Sequence, residues 1–327
     1  MRASNDVTGS GGGQRLPGVS APRIVVFVED GGGDWHARQL KDAMERAGAE
    51  VHVTSLKCCA FDTRHPFGID IPGFPATLPD GAFVRSISTG SLEQITLRLG
   101  ILHALRESGV RVWNDARAIE RCVDKSTATF LFQKAGLPVP RTRAAEGIAA
   151  ARAFLANEAA PIVVKPLFGS QGNGIRRVMA EAELPTSDEV GDVYYTQRYL
   201  RRPEDTEFQD WRVFVSRGRT LAAMMRVGET WITNIHQGAR AVGLAEASAG
   251  HDGCELDRLA HAATAAIGAD YAGVDLIRDH DGQLMVLEIN SNPAWKGLQG
   301  VTDVDIAARL AEDFLDCLTV VQAARAP

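Results

Sequence analysis

The chain has 327 residues, 45% of them hydrophobic and 23% charged, with a formal net charge of −6. That length exceeds what one compact core holds, so two or three domains are expected. The acidic balance argues against a nucleic-acid surface as the main function, and no apolar run approaches the roughly 20 residues of a membrane span.

Residues 1–22 are rich in Gly, Ser and Pro and lack an apolar h-region. They read as a disordered leader, not a secretory signal. Arg23–Val28 is a short apolar run of the kind that forms a buried parallel strand. Gly31-Gly32-Gly33 follows, then a helix from Trp35 to Ala47, Gly48 as its stop, and a strand over Glu50–Thr54. This is a βαβ unit. Its glycine spacing departs from G-x-G-x-x-G and no ribose-binding acid is evident, which argues against a dehydrogenase.

Residues 60–80 carry Pro66, Pro72, Pro75 and Pro79 and read as loop. A strand at 83–85, a helix at 91–108 and a strand at 110–114 complete an N-terminal α/β domain over 23–120. Cys58, Cys59, Cys122, Cys254 and Cys317 lack zinc spacing and suit the reduced thiols of a cytoplasmic protein.

Asp124-Lys125-Ser126-Thr127 opens a helix that Gly136-Leu137-Pro138 stops, and a second helix is expected at 145–157. The apolar strand Pro161–Lys165 ends in lysine and runs into Phe168-Gly169-Ser170-Gln171-Gly172-Asn173-Gly174. Glycine-freed N–H groups cradle phosphate oxygens, and a neighbouring lysine supplies a point charge for the same anion. The loop is not a P-loop, and taken alone it is equally a plain hairpin turn. Further strands are expected at 192–197, 211–216, 220–226 and 231–235, and helices at 255–267 and 303–318.

The clearest message lies in Gly273–Ile277 and Leu287–Pro293, joined across the turn signal Asp279-His280-Asp281-Gly282. With Arg278 opposite Gln283, Asp275 faces Val286 and Glu288 lies diagonally from Asp275 on the same face. Asn290, two residues on, shares that face. Val274, Leu276, Met285, Leu287 and Ile289 fall on the apolar side. Asp275, Glu288 and Asn290 offer the hard oxygen ligands that Mg²⁺ takes beside substrate phosphates. By themselves these residues also fit an ordinary hairpin with a wet acidic face.

From about residue 84 to 320 the chain resembles the RimK-like ATP-grasp carboxylate–amine ligases. The resemblance rests on Asp124-Lys125, Val164-Lys165-Pro166 with the glycine loop, Gln197-Arg198-Tyr199, Asp210-Trp211-Arg212, Thr233–Gly238, Ala272–Asp275 and Glu288–Pro293. It implies an α/β and α+β fold: a Rossmann-like pre-ATP-grasp domain, then a two-subdomain ATP-grasp fold divided at 121–196 and 197–322. Carried over, Lys125, Lys165, Gly169, Ser170, Gln171, Gly172, Gly174, Gln197, Arg198, Tyr199, Asp210 and Asn234 would bind ATP. Arg198 and Tyr199 would lie in the hinge whose backbone reads adenine. Asp275, Glu288 and Asn290 would hold two Mg²⁺ ions, with Mn²⁺ as an alternative. Lys165, Arg212 and Arg226 would stabilise charge during phosphoryl transfer.

The implied reaction passes through an acyl-phosphate and joins L-glutamate to a small-molecule cofactor tail of the tetrahydromethanopterin type, or to a protein C-terminus. Nucleic acid and membrane are not expected partners; self-association into a homo-oligomer is open. A catalytically silent ATP-binding protein of the same fold is the second reading. Arg198 stands where the family usually has an acid, and Ile232, Gln237 and Trp295 depart toward the acceptor side. Trp295 is a candidate for the acceptor pocket, and the other tryptophans are expected to pack. Arg85 and Arg98 are candidates for pairing with substrate carboxylates, Arg98 equally a solvated helix charge. His236 is either a base for the amine or a structural histidine.

Overall fold

A computed structural model describes residues 20–29, 33–158, 161–169, 172–202, 205–244 and 252–325. The leader expected over 1–22 therefore lies almost wholly outside the described residues.

The N-terminal layer is a four-stranded parallel sheet in the order β2-β1-β5-β6. Its strands are β1 (Arg23–Phe27), β2 (Glu50–Thr54), β5 (Gly81–Val84) and β6 (Arg111–Trp113). Helices α1 (Trp35–Arg46) and α2 (Leu92–Glu107) provide the crossovers. β1 is continuously apolar because both its faces are covered. Ile24 and Val26 pack into one core with Leu40 and Met44 of α1, while Val25 and Phe27 pack into another with Ile101 and Leu105 of α2. Within 60–80 the chain forms a small antiparallel pair, β3 (Ala60–Phe61) and β4 (Ile69–Asp70).

Helices α3 (Ala116–Val123) and α4 (Lys125–Lys134) meet at Asp124, whose carboxylate accepts from the N–H groups of Ser126 and Thr127. An aspartate at the N-cap satisfies orphan donors and here makes Lys125 the first helical residue. The next sheet is antiparallel, in the order β7-β10-β8-β9. It comprises β7 (Thr142–Glu146), β8 (Ile162–Lys165), β9 (Arg176–Val178) and β10 (Val193–Arg198). Helices α5 (Ile148–Ala156) and α6 (Ser187–Val190) accompany it. The helix expected from residue 145 thus starts at 148. Thr142–Glu146 pairs instead with β10, and Gly147 at φ 82° breaks the chain between the two elements.

The third sheet is five-stranded and antiparallel, in the order β13-β12-β11-β14-β15. It holds β11 (Phe208–Ser216), β12 (Arg219–Gly228), β13 (Arg240–Gly243), β14 (Tyr271–Arg278) and β15 (Leu284–Asn290). The strand expected at 231–235 does not form. A single 3-10 turn, Ile235–Gln237, precedes β13 there. Helix α7 (Asp252–Ile267) covers one face of the sheet through Leu256, Leu259 and Ala263. The other face, through Phe214 and Tyr271, joins the N-terminal core at Trp113 and Phe83. After α8 (Lys296–Gln299), the last helix α9 (Ile306–Arg325) returns to that same core with Leu310 and Phe314.

Asn114, fully buried, fastens the N-terminal layer to the third sheet. Its Nδ2 donates to the carbonyls of Tyr271 and Ser291 at 2.8 Å, and its Oδ1 accepts from the N–H groups of Asp270 and Tyr271. Among the described residues no helix is long and apolar enough to cross a membrane.

Candidate active site

A cleft opens between the second and third sheets. Its wall includes Lys165, Gly172, Gln197, Arg198, Tyr199, Asp210, Arg212, Arg226, Asn234, Asp275, Glu288 and Asn290. Sequence positions spread over about 125 residues, from Lys165 to Asn290, thus converge on one surface. Gly169 and Gly174 belong to the adjoining loop, and Ser170, Gln171 and the side chain of His236 lie outside the described residues.

The carboxylates arrive by a register that differs from the expected one. Arg278 pairs with Leu284, and Asp275 sits directly opposite Glu288, with a bulge between Asp275 and Leu276. A bulge adds one residue to one strand and resets the alternation of faces. Leu284, Val286 and Ile289 therefore point to the core, while Leu287 joins Glu288 and Asn290 on the cleft wall. Met285 and Leu287 do not belong to the core face assigned to them from alternation alone. The outcome for the acids is tighter than a diagonal pair.

Asp275 is buried and takes Arg212 in a two-pronged ion pair through Nε and Nη2, with Nη2 of Arg226 3.1 Å from its Oδ2. Burial works against its charge, but Arg212 and Arg226 together hold its carboxyl below the usual range. Arg226 also clasps Asp210 through Nε at 2.7 Å and through Nη2. Arg212 and Arg226 stand at register positions opposite Asp275 and Asp210 on neighbouring strands, which is why the four charges form one cluster. Glu288 and Asn290, by contrast, make no side-chain hydrogen bond or ion pair with a described residue. The unpaired oxygens of Glu288 and Asn290 beside the Asp275 carboxylate fit Mg²⁺.

Across the cleft, Lys165 is buried and donates to Gln197 Oε1 at 2.8 Å. Burial lowers its pKa to about 8, with the Glu288 charge opposing that shift and Lys125 adding to it. Lys125 donates to the carbonyls of Leu167 and Gly169 at 3.4 and 3.0 Å, and burial likewise lowers its pKa against the pull of Glu288. The glycine loop owes its path to backbone freedom at two points. Gly172 has φ 77°, and a Cβ there would meet Ile232 Cγ2 at 2.9 Å. Gly174 has φ 72°, and its Cβ would meet Pro166 Cγ at 2.8 Å.

The segment expected to be the hinge makes several of its polar contacts within the protein. The Arg198 side chain turns to Glu158, donating through Nε at 2.7 Å, and Arg141 takes the other oxygen of that carboxylate at 2.9 Å. The backbone N–H groups of Arg198 and Tyr199 go to the carbonyls of Arg141 and Pro161. Leu200, also on the cleft wall, carries the next N–H along this segment.

Four further expectations are corrected or refined. Trp231, expected to pack, lies on the cleft wall with its ring 6.0 Å from that of Tyr199. Trp295, a candidate for the acceptor pocket, is fully buried between His36 and Arg85 in the interdomain core. Arg98 is neither a substrate ligand nor a solvated charge. It is buried, and its Nη1 donates to the carbonyls of Ile87, Ser88 and Thr89. Arg85 is also buried, donating to the Asn292 carbonyl at 2.9 Å just beyond the carboxylate strand. The apolar wall made by Val163, Ile175, Leu200, Trp231 and Leu287 was not anticipated; no local pattern marks such residues until two sheets face each other.

Two sheets clamping a cleft, lysines on one side and carboxylates on the other, define an ATP-grasp architecture. A family model described as the RimK-like ATP-grasp domain matches residues 122–314. The tetrahydromethanopterin:α-L-glutamate ligase of Methanococcus maripaludis is 35% identical over 241 residues, covering 72% of this chain and 78% of that one. A probable α-L-glutamate ligase of Haemophilus influenzae is 30% identical over 293 residues, covering 85% and 92%. The solved ATP-grasp ligase PsnB, complexed with minimal precursor, Mg and ADP, matches with a TM-score of 0.65 at 22% identity, over 92% of this chain and 98% of that chain. The chain belongs to the RimK-like ATP-grasp family. It is an ATP-dependent, ADP-forming ligase that joins a carboxylate to an amine.

Proposed function

We propose that the protein adds L-glutamate, through its amino group, to the carboxylate tail of a pterin cofactor of the tetrahydromethanopterin type. The observation that carries this is the meeting of Lys165 with Asp275, Glu288 and Asn290 across one cleft in a chain 35% identical to a ligase of that name. In this reading the acceptor carboxylate attacks the γ-phosphorus of ATP. The bond to the bridging oxygen breaks, ADP leaves and an acyl-phosphate forms. The glutamate nitrogen then attacks the acyl carbon, phosphate departs with its electron pair, and the nitrogen gives up a proton.

The chemistry needs no nucleophilic side chain. It needs crowded oxygens neutralised in a site with little water. Lys165, at the end of β8, and Lys125, at the start of α4, would face the phosphates from one side of the cleft. Arg212 and Arg226 supply positive charge from the other, and their ion pairs to Asp275 and Asp210 hold them extended and pre-oriented. Asp275, Glu288 and Asn290 would hold two Mg²⁺ ions, with Mn²⁺ able to replace them; when bound, the ions neutralise phosphate charge. The hinge around Tyr199 and Leu200, with Trp231 and Leu287, suits the flat apolar base. Gly172 and Gly174 give the phosphate loop its path. A silent nucleotide binder has no need of this full set of charges and is not favoured.

The test is incubation with ATP, Mg²⁺, glutamate and a pterin acceptor bearing a free carboxylate, followed by mass spectrometry. The reading predicts a product heavier by one glutamyl residue with stoichiometric ADP. Product formed only with a peptide C-terminus as acceptor would overturn the substrate assignment.

A further inference from the structure

From the Lys165 ammonium to the backbone of Lys125 runs a partly buried chain of hydrogen bonds whose direction is fully determined. Lys165 carries only donors, so Gln197 must present Oε1 to it, at 2.8 Å. That leaves the amide nitrogen of Gln197 with two protons to place. One goes to Thr142 Oγ1 at 3.0 Å and the other to Tyr195 Oη at 3.3 Å. Thr142 passes its own proton to the Pro140 carbonyl at 2.7 Å. Tyr195 Oη lies 2.8 Å from Thr129 Oγ1, and Thr129 donates to the Lys125 carbonyl at 2.8 Å. Tyr195 is therefore the donor to Thr129. Every proton of the chain has one destination, and both branches end on backbone carbonyls.

The placement follows from the sheet. Tyr195 pairs directly with Lys165 across β10 and β8, and Gln197, two residues along, shares its face. Tyr195 and Gln197 are 1% and 2% exposed, and Lys165 is 6% exposed. Gln197 has spent both amide protons and one oxygen lone pair within the protein, so it offers little to a nucleotide.

We propose that Gln197 is a positioning residue: it sets the Lys165 ammonium and, through Tyr195 and Thr129, ties it to the first turn of the helix that carries Lys125. The two phosphate-facing lysines then hold a fixed spacing before nucleotide arrives. This rests on the assignment of Lys165 to the phosphates, and it moves Gln197 from the ATP-contacting set to the layer behind it.

A double-mutant cycle on Mg-ATP affinity, read by calorimetry, separates the two roles. Gln197→Leu should weaken binding about tenfold, the scale of one hydrogen bond to a charged group. In a Lys165→Met background the same change should cost less than about twofold, because the group it positions is gone. Tyr195→Phe, which keeps the ring and removes only the hydroxyl, should show a smaller loss that also disappears in that background. It serves if Gln197→Leu fails to fold. Additive losses would make Gln197 a direct nucleotide ligand and overturn the proposal, as would wild-type affinity in Gln197→Leu. Failure of the ligase reading is distinct: the product assay would then show no glutamylated acceptor, whatever the Mg-ATP affinities of these variants.

Discussion

Raising the pH from 7 to 9 should weaken ATP binding, because Lys165 is a buried ammonium with no carboxylate paired to it among the described residues. Burial brings its pKa down to about 8 in the nucleotide-free protein. Phosphates placed beside it favour the charged form, so its pKa rises in the complex. The free protein thus loses a proton through pH 8 that the complex retains. Affinity is full below pH 8 and falls above it. With a bound-state pKa well above 9, the dissociation constant rises about tenfold between pH 7 and 9, a change of about 1.4 kcal/mol. Binding at pH 8 takes up about half a proton. Calorimetric titration with Mg-ATP in two buffers of different ionisation enthalpy reads that uptake directly. Lys165→Met should abolish both the slope and the uptake. A flat affinity across this range, with no proton taken up, would refute the placement of Lys165 against the phosphates.

Glu288→Gln should cut turnover by at least about a hundredfold, since a metal carboxylate contributes several kcal/mol of charge stabilisation. Its melting temperature should stay close to wild type, because Glu288 carries no ion pair with a described residue. Asp275→Asn should lose turnover similarly and also cost about 3–5 kcal/mol of stability, because it strips Arg212 and Arg226 of a buried partner; an unchanged denaturation midpoint would contradict that pairing. Gly172→Ala forces a side chain at φ 77° into Ile232. It should raise the KM for ATP severalfold while leaving the KM for the amine alone, and unchanged ATP kinetics would argue against the loop's role. Asn114→Ala leaves up to four buried backbone groups unpaired, at a cost on the order of 4 kcal/mol. Differential scanning calorimetry should show a clearly lowered unfolding temperature.

The parts of this molecule that were legible from sequence are those fixed by local pattern. Apolar runs marked β1 and β8, Asp124 marked the start of a helix at Lys125, and the acids of β14 and β15 pointed to one face. What escaped depended on distant partners. The bulge opposite Asp275 turned Leu287 into the cleft, and nothing in the alternation of residues 284–290 announces an inserted residue. The helix expected from residue 145 starts only at 148, because Thr142–Glu146 pairs as a strand with β10. Arg98 resembles a surface charge until loop 87–89 folds its carbonyls over the guanidinium. Trp295 follows the carboxylate strand in sequence yet is drawn into the interdomain core by His36 and Arg85. Gln197 could be placed near the nucleotide from its neighbours, but its hydrogen bonds to Lys165, Thr142 and Tyr195 needed three strands in register.

Trapping the activated intermediate tests the central claim most directly. With ATP, Mg²⁺ and the pterin carboxylate present and glutamate omitted, hydroxylamine should capture the acyl group as a hydroxamate while ADP and phosphate accumulate in equal amounts. Lys165→Ala and Glu288→Gln should lose the trapped product. Release of AMP and pyrophosphate, or amide formed without any trappable acyl group, would contradict the account.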